Sequence, residues 1–544
     1  MRDTAYAFIF VFLCVIVQHN VTFAKRILII THLPNYSHQI MYRGLVLELN
    51  KRGHEIVWVT THPMKNSSLT NYREIDLSYF YKYFFEDDPE ITQFLGSHNN
   101  YIRLSMDTSY VETEKIQWSV LHILNRKVFE NSEMQKLYAV DSGEHFDVVI
   151  VGQGPTISLN AFAYRFNAPL IGISSLDVYN NMRYMLGSMI LPSHISNWQI
   201  DSPVEDNMSF WRRLINFYST WMHMYHWTSV HAPQEDAIAR KHLGDNIPYI
   251  DDITRNMSIY LINKHPLLSH SRPEQSNIIF YNGFHIAKVP PALPEDLKQF
   301  LDGAKDGFIY VSFGSSVDWK LLPNNMFMKF VAALSKLPYR ILWKIDPDML
   351  PSKFNNIMTS KWLPQQGILA HSNIKLFIYQ GGMQSTEETV YYGVPIIGCP
   401  VIWDQAHNVQ IMVRWGVGLH LQHSTISEES IQAAVHEVIN NKRYKNQMMQ
   451  LSRRYKDRPY DSLQNAISWI EYVMRQNGTS FLRDGLGDKP WHQRYDWDII
   501  GFLAVAAFVA SLISLYVLFQ ILRFVYSYCK ILCDNSKYIR AKME

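Results

Sequence analysis

Cysteine is nearly absent from the part of the chain that has to fold. Of four in 544 residues, Cys14 sits in an apolar leader, and Cys529 and Cys533 lie beyond a long apolar run. Only Cys399 is left between them. A single thiol cannot close an intrachain disulfide, so the body must rest on its hydrophobic cores; the two thiols past the run are candidates for lipidation. An excess of either charge is missing too. Fifty-one Lys and Arg against 49 Asp and Glu leave a net charge of +2, with the signs interspersed. That excludes a nucleic-acid groove, which needs a basic surface, but leaves a nucleotide-sized ligand open, since that needs only local donors. Aromatic residues are plentiful at 14%, which suits either a roomy apolar site or a large core. The length predicts two or three folding units.

Long uncharged runs are few. Arg2 precedes the apolar stretch 5–17, and Thr22-Phe23-Ala24 offers a small-residue cleavage site, so 1–24 reads as a secretory signal. Residues 499–522 carry no charge, long enough for a helix to cross a bilayer. Trp491, Tyr495 and Trp497 flank one side, and Arg523, Lys530, Lys537, Arg540 and Lys542 follow on the other, which places the tail 523–544 in the cytosol and the body in a lumen. The end Arg540-Ala541-Lys542-Met543-Glu544 is similar to a dibasic endoplasmic-reticulum retrieval signal. Sequons at Asn66, Asn207, Asn256 and Asn477 fit a secretory route. A fifth, Asn35-Tyr36-Ser37, is expected to stay unmodified because a glycan there would crowd His38.

Strand-like and helix-like patterns alternate along the body, which predicts parallel sheets built from strand–helix–strand units. In the first half, strands are expected at 26–32, 54–62, 146–152 and 169–175. Ser37 is expected to cap a helix running to Lys51, with Gly53 as its stop. Aromatic-rich stretches at 76–85 and 210–227 are expected to line an apolar cavity. After the Pro-rich connector 288–294, strands are expected at 308–314, 339–345, 374–380 and 394–400, with a helix at 325–337. The fold class is therefore α/β, with two doubly wound, Rossmann-like domains facing one cleft and a C-terminal transmembrane helix. The expected division is a signal at 1–24, a first domain at 25–285 and a second at 286–455. A return helix and membrane-proximal segment follow at 456–498, then the span and the tail. Ligands in such folds sit beyond the carboxyl ends of the strands.

The residues following those strands carry the chemistry. Gly314-Ser315-Ser316 follows one strand; Gly381-Gly382 follows another and leads into a helix expected to start near Ser385. Glycine lets a backbone approach a ligand, and free N–H groups at a helix start favour an anion; strand-to-helix turns also carry glycine for steric reasons alone. Glu388, on that helix, is placed to accept both hydroxyls of a ribose, although Glu387 and Glu388 would equally complement the helix dipole. Trp362 and Gln365 present an indole and an amide, suited to stacking a base and reading its edge. Asp404-Gln405 offers acceptors for sugar hydroxyls.

Together Trp362, Gln365, His371, Gln380-Gly381-Gly382, Ser385, Glu388, Gly393-Val394-Pro395, Pro400 and Asp404-Gln405 resemble the signature of the UDP-glycosyltransferases, the family containing the UDP-glucuronosyltransferases. The resemblance extends to 312–316, Arg458-Pro459, the terminal span and the basic tail. It implies a GT-B fold with an N-terminal acceptor domain and a C-terminal donor domain. The implied reaction is inverting transfer of a hexose from UDP-glucose or UDP-glucuronate to a small lipophilic acceptor, without metal or cofactor, the UDP-sugar being a co-substrate. It also implies an endoplasmic-reticulum membrane enzyme of detoxifying conjugation; self-association stays open. Trp362 then stacks on uracil and Gln365 bonds its edge. Ser315 and Gln380 meet the diphosphate beside Gly381, Gly382 and Ser385, Glu388 meets the ribose, and Asp404 and Gln405 meet the sugar.

His38, after the first strand, matches the family's general base, and a neutral imidazole suits that task. Two positions depart from the pattern. Gln380 stands where histidine is usual, which removes a cation from the diphosphate. Gly152 stands where a carboxylate orients the base, with Gln153 next to it as a candidate to hold the tautomer and Asp147 expected to point elsewhere. The alternative reading is a family member that binds a UDP-sugar or a lipophile without efficient turnover.

Overall fold

A computed structural model describes residues 24–85, 89–95, 110–195, 198–199, 208–483 and 485–543; all of the expected signal but its last residue, and the sequon at Asn207, lie outside them. The first compact unit runs to Asp484 and the second comprises Gly485–Glu544.

Within the first unit, β1 (Arg26–Thr31), β2 (Glu55–Thr60), β3 (Tyr72–Asp76), β4 (Val148–Gly152), β5 (Leu170–Ser174), β6 (Ile259–Asn263) and β7 (Ile278–Tyr281) form one sheet in the order β3-β2-β1-β4-β5-β6-β7. A second sheet holds β8 (Phe308–Ser312), β9 (Arg340–Lys344), β10 (Ile357–Ser360), β11 (Ile374–Tyr379), β12 (Ile396–Gly398) and β13 (Gly418–His420) in the order β10-β9-β8-β11-β12-β13. Every pairing is parallel. Parallel strands are covered on both faces, and the continuous apolar runs of β1, β4, β8 and β11 follow from that. The order reverses beside β1 in one sheet and beside β8 in the other, and each reversal opens a crevice at the strands' carboxyl ends. The expected strands are all present, shortened by a residue or more at their ends.

Helix α1 (Tyr36–Lys51) follows β1. Its cap is Asn35, not Ser37: Asn35 Oδ1 accepts from Ser37 N at 3.2 Å. Gln39 anchors the first turn, donating to the carbonyls of Thr31 and Leu33 and accepting from the hydroxyls of Thr31 and Thr60, all at 2.8–2.9 Å. The stretch at 210–227 is α2 (Phe210–His226), which runs through a π-helical turn at Trp227–His231 into α3 (Ala232–Leu243). In the second half α4 (Met383–Tyr392) follows β11, α5 (Gln405–Arg414) follows β12, and α6 (Lys442–Lys456) packs on α4. Helix α7 (Ser462–Gln476) returns to the first sheet, where Ile467, Ile470 and Val473 join the core of Ile27, Ile29 and Trp58.

In the second unit α8 (Trp497–Met543) is unbroken. It is the one helix among the described residues long and apolar enough to cross a membrane, and the expected tail continues it as helix.

Candidate active site

Three of the residues expected to hold the donor, Gln365, Ser385 and Glu388, come together. Gln365 stands at the centre: its Nε2 donates to Glu388 Oε2 at 2.6 Å and to Ser385 Oγ at 2.9 Å, while its Oε1 accepts from the hydroxyl of Tyr310 at 3.2 Å. Gln366 Nε2 donates to the other oxygen of Glu388 at 2.9 Å. Glu388 is buried, and loss of solvent pushes its carboxyl up to about 7 despite both amides. Trp362 remains half exposed and meets Tyr36 of α1 edge to face at 4.7 Å. Ser315, Trp362, Tyr36 and Arg43 line one cavity of about 710 Å³ between the two sheets' carboxyl ends. The hydroxyl of Ser315 is buried without a protein partner.

Glycine is required at two points. Gly314 turns at φ +72°, and the amide of Gln380 fills the space its side chain would need. Gly381 turns at φ +99°, where a Cβ would stand 2.6 Å from the carbonyl of Gln405. Gly382 caps α4, which therefore begins at Met383, two residues before the expected start at Ser385. Gln380 is buried with its Oε1 unpartnered. The sequence reading missed a cation beside it. Lys344, the last residue of β9, donates to the carbonyl of Gly314 at 2.7 Å and lies 4.5 Å over the ring of Trp362, and burial lowers its ammonium to about 8. Its position at a strand's carboxyl end was the available signal.

Asp404 and Gln405 separate in role. Trp403, in the left-handed region at φ +54°, turns the chain into α5, a strain tolerated where the surroundings fix it. Asp404 accepts from Asn408 at 2.6 Å and burial raises its carboxyl to about 6. Gln405 is buried with its carbonyl oxygen engaged by the backbone N–H groups of Val401 and Ile402 at 2.9 and 3.0 Å. That oxygen holds the loop before α5.

Glu387 also departs from the dipole role. It is buried and links the halves, accepting from Asn263 at 3.1 Å, from Gly283 N at 3.2 Å and from the hydroxyl of Tyr455 at 3.1 Å. A buried charge knot sits nearby: Arg183 and Lys264 lie against Asp177 and Glu274, and Arg272 and His407 couple to the same group.

His38 lies in the first turn of α1. Its Nδ1 meets the hydroxyl of Ser175, just past β5, and burial lowers its pKa to about 4. No described carboxylate faces the ring. Gln153 does not replace the missing acid, since its amide donates to Asn160 at 2.7 Å and to the carbonyl of Val151. Asp147 turns to Lys25 and the backbone of Arg26, as expected. Ser175 also accepts, through its carbonyl, from Gln384 Nε2 of α4 at 3.2 Å. The imidazole is thus joined to the donor helix through one residue. His38, His32, Gly152 and Ser175 line a cavity of about 10 Å³, room for about one water. His32 is buried, and burial lowers its pKa to about 4 although Glu235 and Asn125 act to raise it.

Asn35 Nδ2 donates across the cleft to Ser316 Oγ at 3.1 Å, so its amide is engaged in a contact that a glycan would displace. Cys399 is buried with its thiol raised to about 12, and is inert as a nucleophile.

The family model described as UDP-glucoronosyl and UDP-glucosyl transferase matches residues 25–531. The chain is 32% identical over 524 residues to UDP-glycosyltransferase UGT5 of Dactylopius coccus, covering 96% of each. It is 29% identical to UDP-glucuronosyltransferase 2B1 of Rattus norvegicus over 86% of this chain and 88% of that one. The solved structure of Arabidopsis thaliana UGT89C1 with UDP-L-rhamnose superposes at a TM-score of 0.53 with 13% identity, covering 84% of this chain and 100% of that one, which shows the shared GT-B fold. Two facing parallel sheets, the converging donor residues and the near end-to-end match agree: the chain belongs to the UDP-glucuronosyl and UDP-glucosyl transferase family, and is a UDP-glycosyltransferase.

Proposed function

We propose that the chain transfers glucose or glucuronate from its UDP-sugar to the hydroxyl of a small lipophilic acceptor, with His38 as general base. The observation that carries this reading is the hydrogen-bonded Gln365–Ser385–Glu388 group, three residues along the chain from Trp362, which with Ser315 lines the large cavity. Uracil lies against Trp362 and Gln365, and the ribose hydroxyls meet Glu388. Ser315, Gln380 and the start of α4 take the diphosphate, with Lys344 supplying the positive charge that Gln380 lacks. Asp404 takes a sugar hydroxyl.

The acceptor oxygen attacks the anomeric carbon as its bond to the diphosphate breaks, inverting the centre, and the proton passes to His38 Nε2. Ser175, accepting from Nδ1–H, holds the tautomer that leaves Nε2 free. This uncharged partner orients the ring without stabilising its cation. The base is therefore weak and stays neutral well below pH 7. The reading places the body in the endoplasmic-reticulum lumen with α8 as anchor, conjugating apolar compounds into soluble ones.

The test is direct. The full-length protein is titrated with UDP, then assayed with UDP-glucose and with UDP-glucuronate against a panel of phenols, with His38→Ala as control. Saturable UDP binding and turnover at least tenfold above the control are expected. UDP binding without turnover above His38→Ala overturns the role of His38, and no UDP binding overturns the whole reading.

A further inference from the structure

The small cavity beside His38 is lined by a second imidazole. Among the described residues around it, His32 is the one basic group besides His38. The amides of Gln39 and Gln153 on the same wall are spent elsewhere. Gln39 donates to the carbonyls of Thr31 and Leu33, and Gln153 to Asn160 and the carbonyl of Val151.

His32 directly follows β1, and its burial makes a charged ring costly. What stands behind it offsets that cost. Asn125, on the helix Tyr110–Glu130, is a hydrogen-bond partner of the ring. Its Nδ2 donates to Ser158 Oγ at 2.7 Å and to Glu235 Oε2 at 3.0 Å, which leaves its carbonyl oxygen to accept from a ring N–H. Glu235, on α3, is fully buried. It also accepts from the N–H groups of Ile157 and Ser158 at 2.9 and 2.6 Å and meets His122 Nδ1 at 2.5 Å. Burial alone would raise this carboxyl, but the bonds from His122 and Ser158 hold it below its ordinary value, so it is charged at neutral pH. The negative charge missing at Gly152 is thus present one amide behind His32.

The link from His38 to His32 follows from valence. When Nδ1–H donates to Ser175 Oγ, that hydroxyl must give its own proton to another partner. Two outlets face it. One is the hydroxyl of Tyr42, which adjoins Ser175; the other is the cavity of about 10 Å³ that Ser175 shares with His32. Tyr42 is no base, whereas the cavity has room for about one water and leads to one. We propose that His32 is a positioning residue standing in for the orienting carboxylate: it accepts, through one water, from the Ser175 hydroxyl that holds His38, and Asn125 and Glu235 counter the charge that reaches it. This rests on His38 being the base. As His38 Nε2 takes the acceptor's proton, its Nδ1 proton passes to Ser175, the Ser175 proton to the water and a water proton to His32. The protons balance, and the charge ends on His32.

The experiment uses the full chain and a phenol poor enough as an acceptor that chemistry limits kcat, measured in mixtures of H2O and D2O. Several protons move together in such a relay, so kcat of the parent is expected to fall along a curve as the deuterium fraction rises. His32→Gln keeps a hydrogen-bonding side chain that cannot take the proton. It is expected to lower kcat about tenfold and to straighten the curve, with UDP affinity and acceptor KM within twofold of the parent. A merely structural histidine would leave the curvature in place. A straight line or no isotope dependence in the parent overturns the proposal whatever the variants do. So does His32→Gln with the parent's rate and curvature, and so does a curve that straightens in Tyr42→Phe but not in His32→Gln. If circular dichroism shows His32→Gln unfolded, His32→Asn carries the same comparison and the same outcomes. His38→Ala turning over like the parent would remove the base itself, a result distinguishable from all of these.

Discussion

Installing a carboxylate at Gly152 tests the account of the base most sharply. Gly152 ends β4 and lines the small cavity with His38. An added Cβ would meet the carbonyl of Ile30 at 3.3 Å and Thr31 at 3.4–3.5 Å, so aspartate fits with a shift of a few tenths of an ångström. At about 5 Å and an effective dielectric near 20, a carboxylate and an imidazolium attract by about 3 kcal/mol, or about two pKa units. His38, held down to about 4 by burial with no acid facing it, should rise to about 6 in Gly152→Asp. With a Brønsted coefficient of about one half, the stronger base should raise kcat/KM at neutral pH about tenfold. The assay is kcat/KM against pH for the parent and the variant with one phenol. The parent should keep its activity down to about pH 4–5 as far as the base is concerned, whereas the variant's acid limb should move up toward pH 6. An unchanged limb and rate, in a variant whose UDP affinity is intact, would refute His38 as the group that takes the proton.

Three further outcomes are expected. UDP affinity should rise with pH through about 7 as Glu388 ionises and accepts the ribose hydroxyls; Glu388→Gln should weaken binding and abolish that slope, and a slope that survives in calorimetric titrations would reject the assignment. Lys344→Met should weaken UDP binding about tenfold, while Gln380→His should tighten it by about 1 kcal/mol only below about pH 6.5, where the new imidazole is charged; equal effects at pH 8 would contradict a charge role. His32, His265 and His285 are held neutral by burial, each with its pKa lowered to about 4, so the unfolded chain binds protons below about pH 6.5 that the folded chain refuses. Their stabilisation is present above that pH and is lost as pH falls toward 4, so the melting temperature should drop across this window, and a flat profile would oppose the burial argument.

What could be read from the chain was what is coded locally. The glycine turns and Glu388 follow expected strands directly or on the next helix, so strand pattern and the rule of carboxyl-end sites locate them, whereas the Trp362–Gln365 pair follows an unexpected strand and was legible only as an indole and an amide in one loop. The elements missed were β3, β6, β7, β10 and β13, most of them short or only partly buried, with too few alternating positions to stand out. Residues whose role depends on distant partners were opaque. That Gln405 Oε1 holds the backbone of Val401 and Ile402 is invisible locally, and Glu387 reads as a helix-dipole group until Asn263 and Tyr455 arrive. The partner of His38 is the extreme case: Ser175 ends an expected strand, but it is 137 residues away and only the fold shows which side chain it meets. That contact also carries the strongest mechanistic consequence of the fold. Ser175 touches the imidazole through its hydroxyl and Gln384 of α4 through its carbonyl, so the orientation of the proposed base is tied to the helix proposed to meet the diphosphate. Gln384→Ala should then lower kcat with little change in UDP affinity, whereas a loss confined to UDP binding would show that the link is only structural.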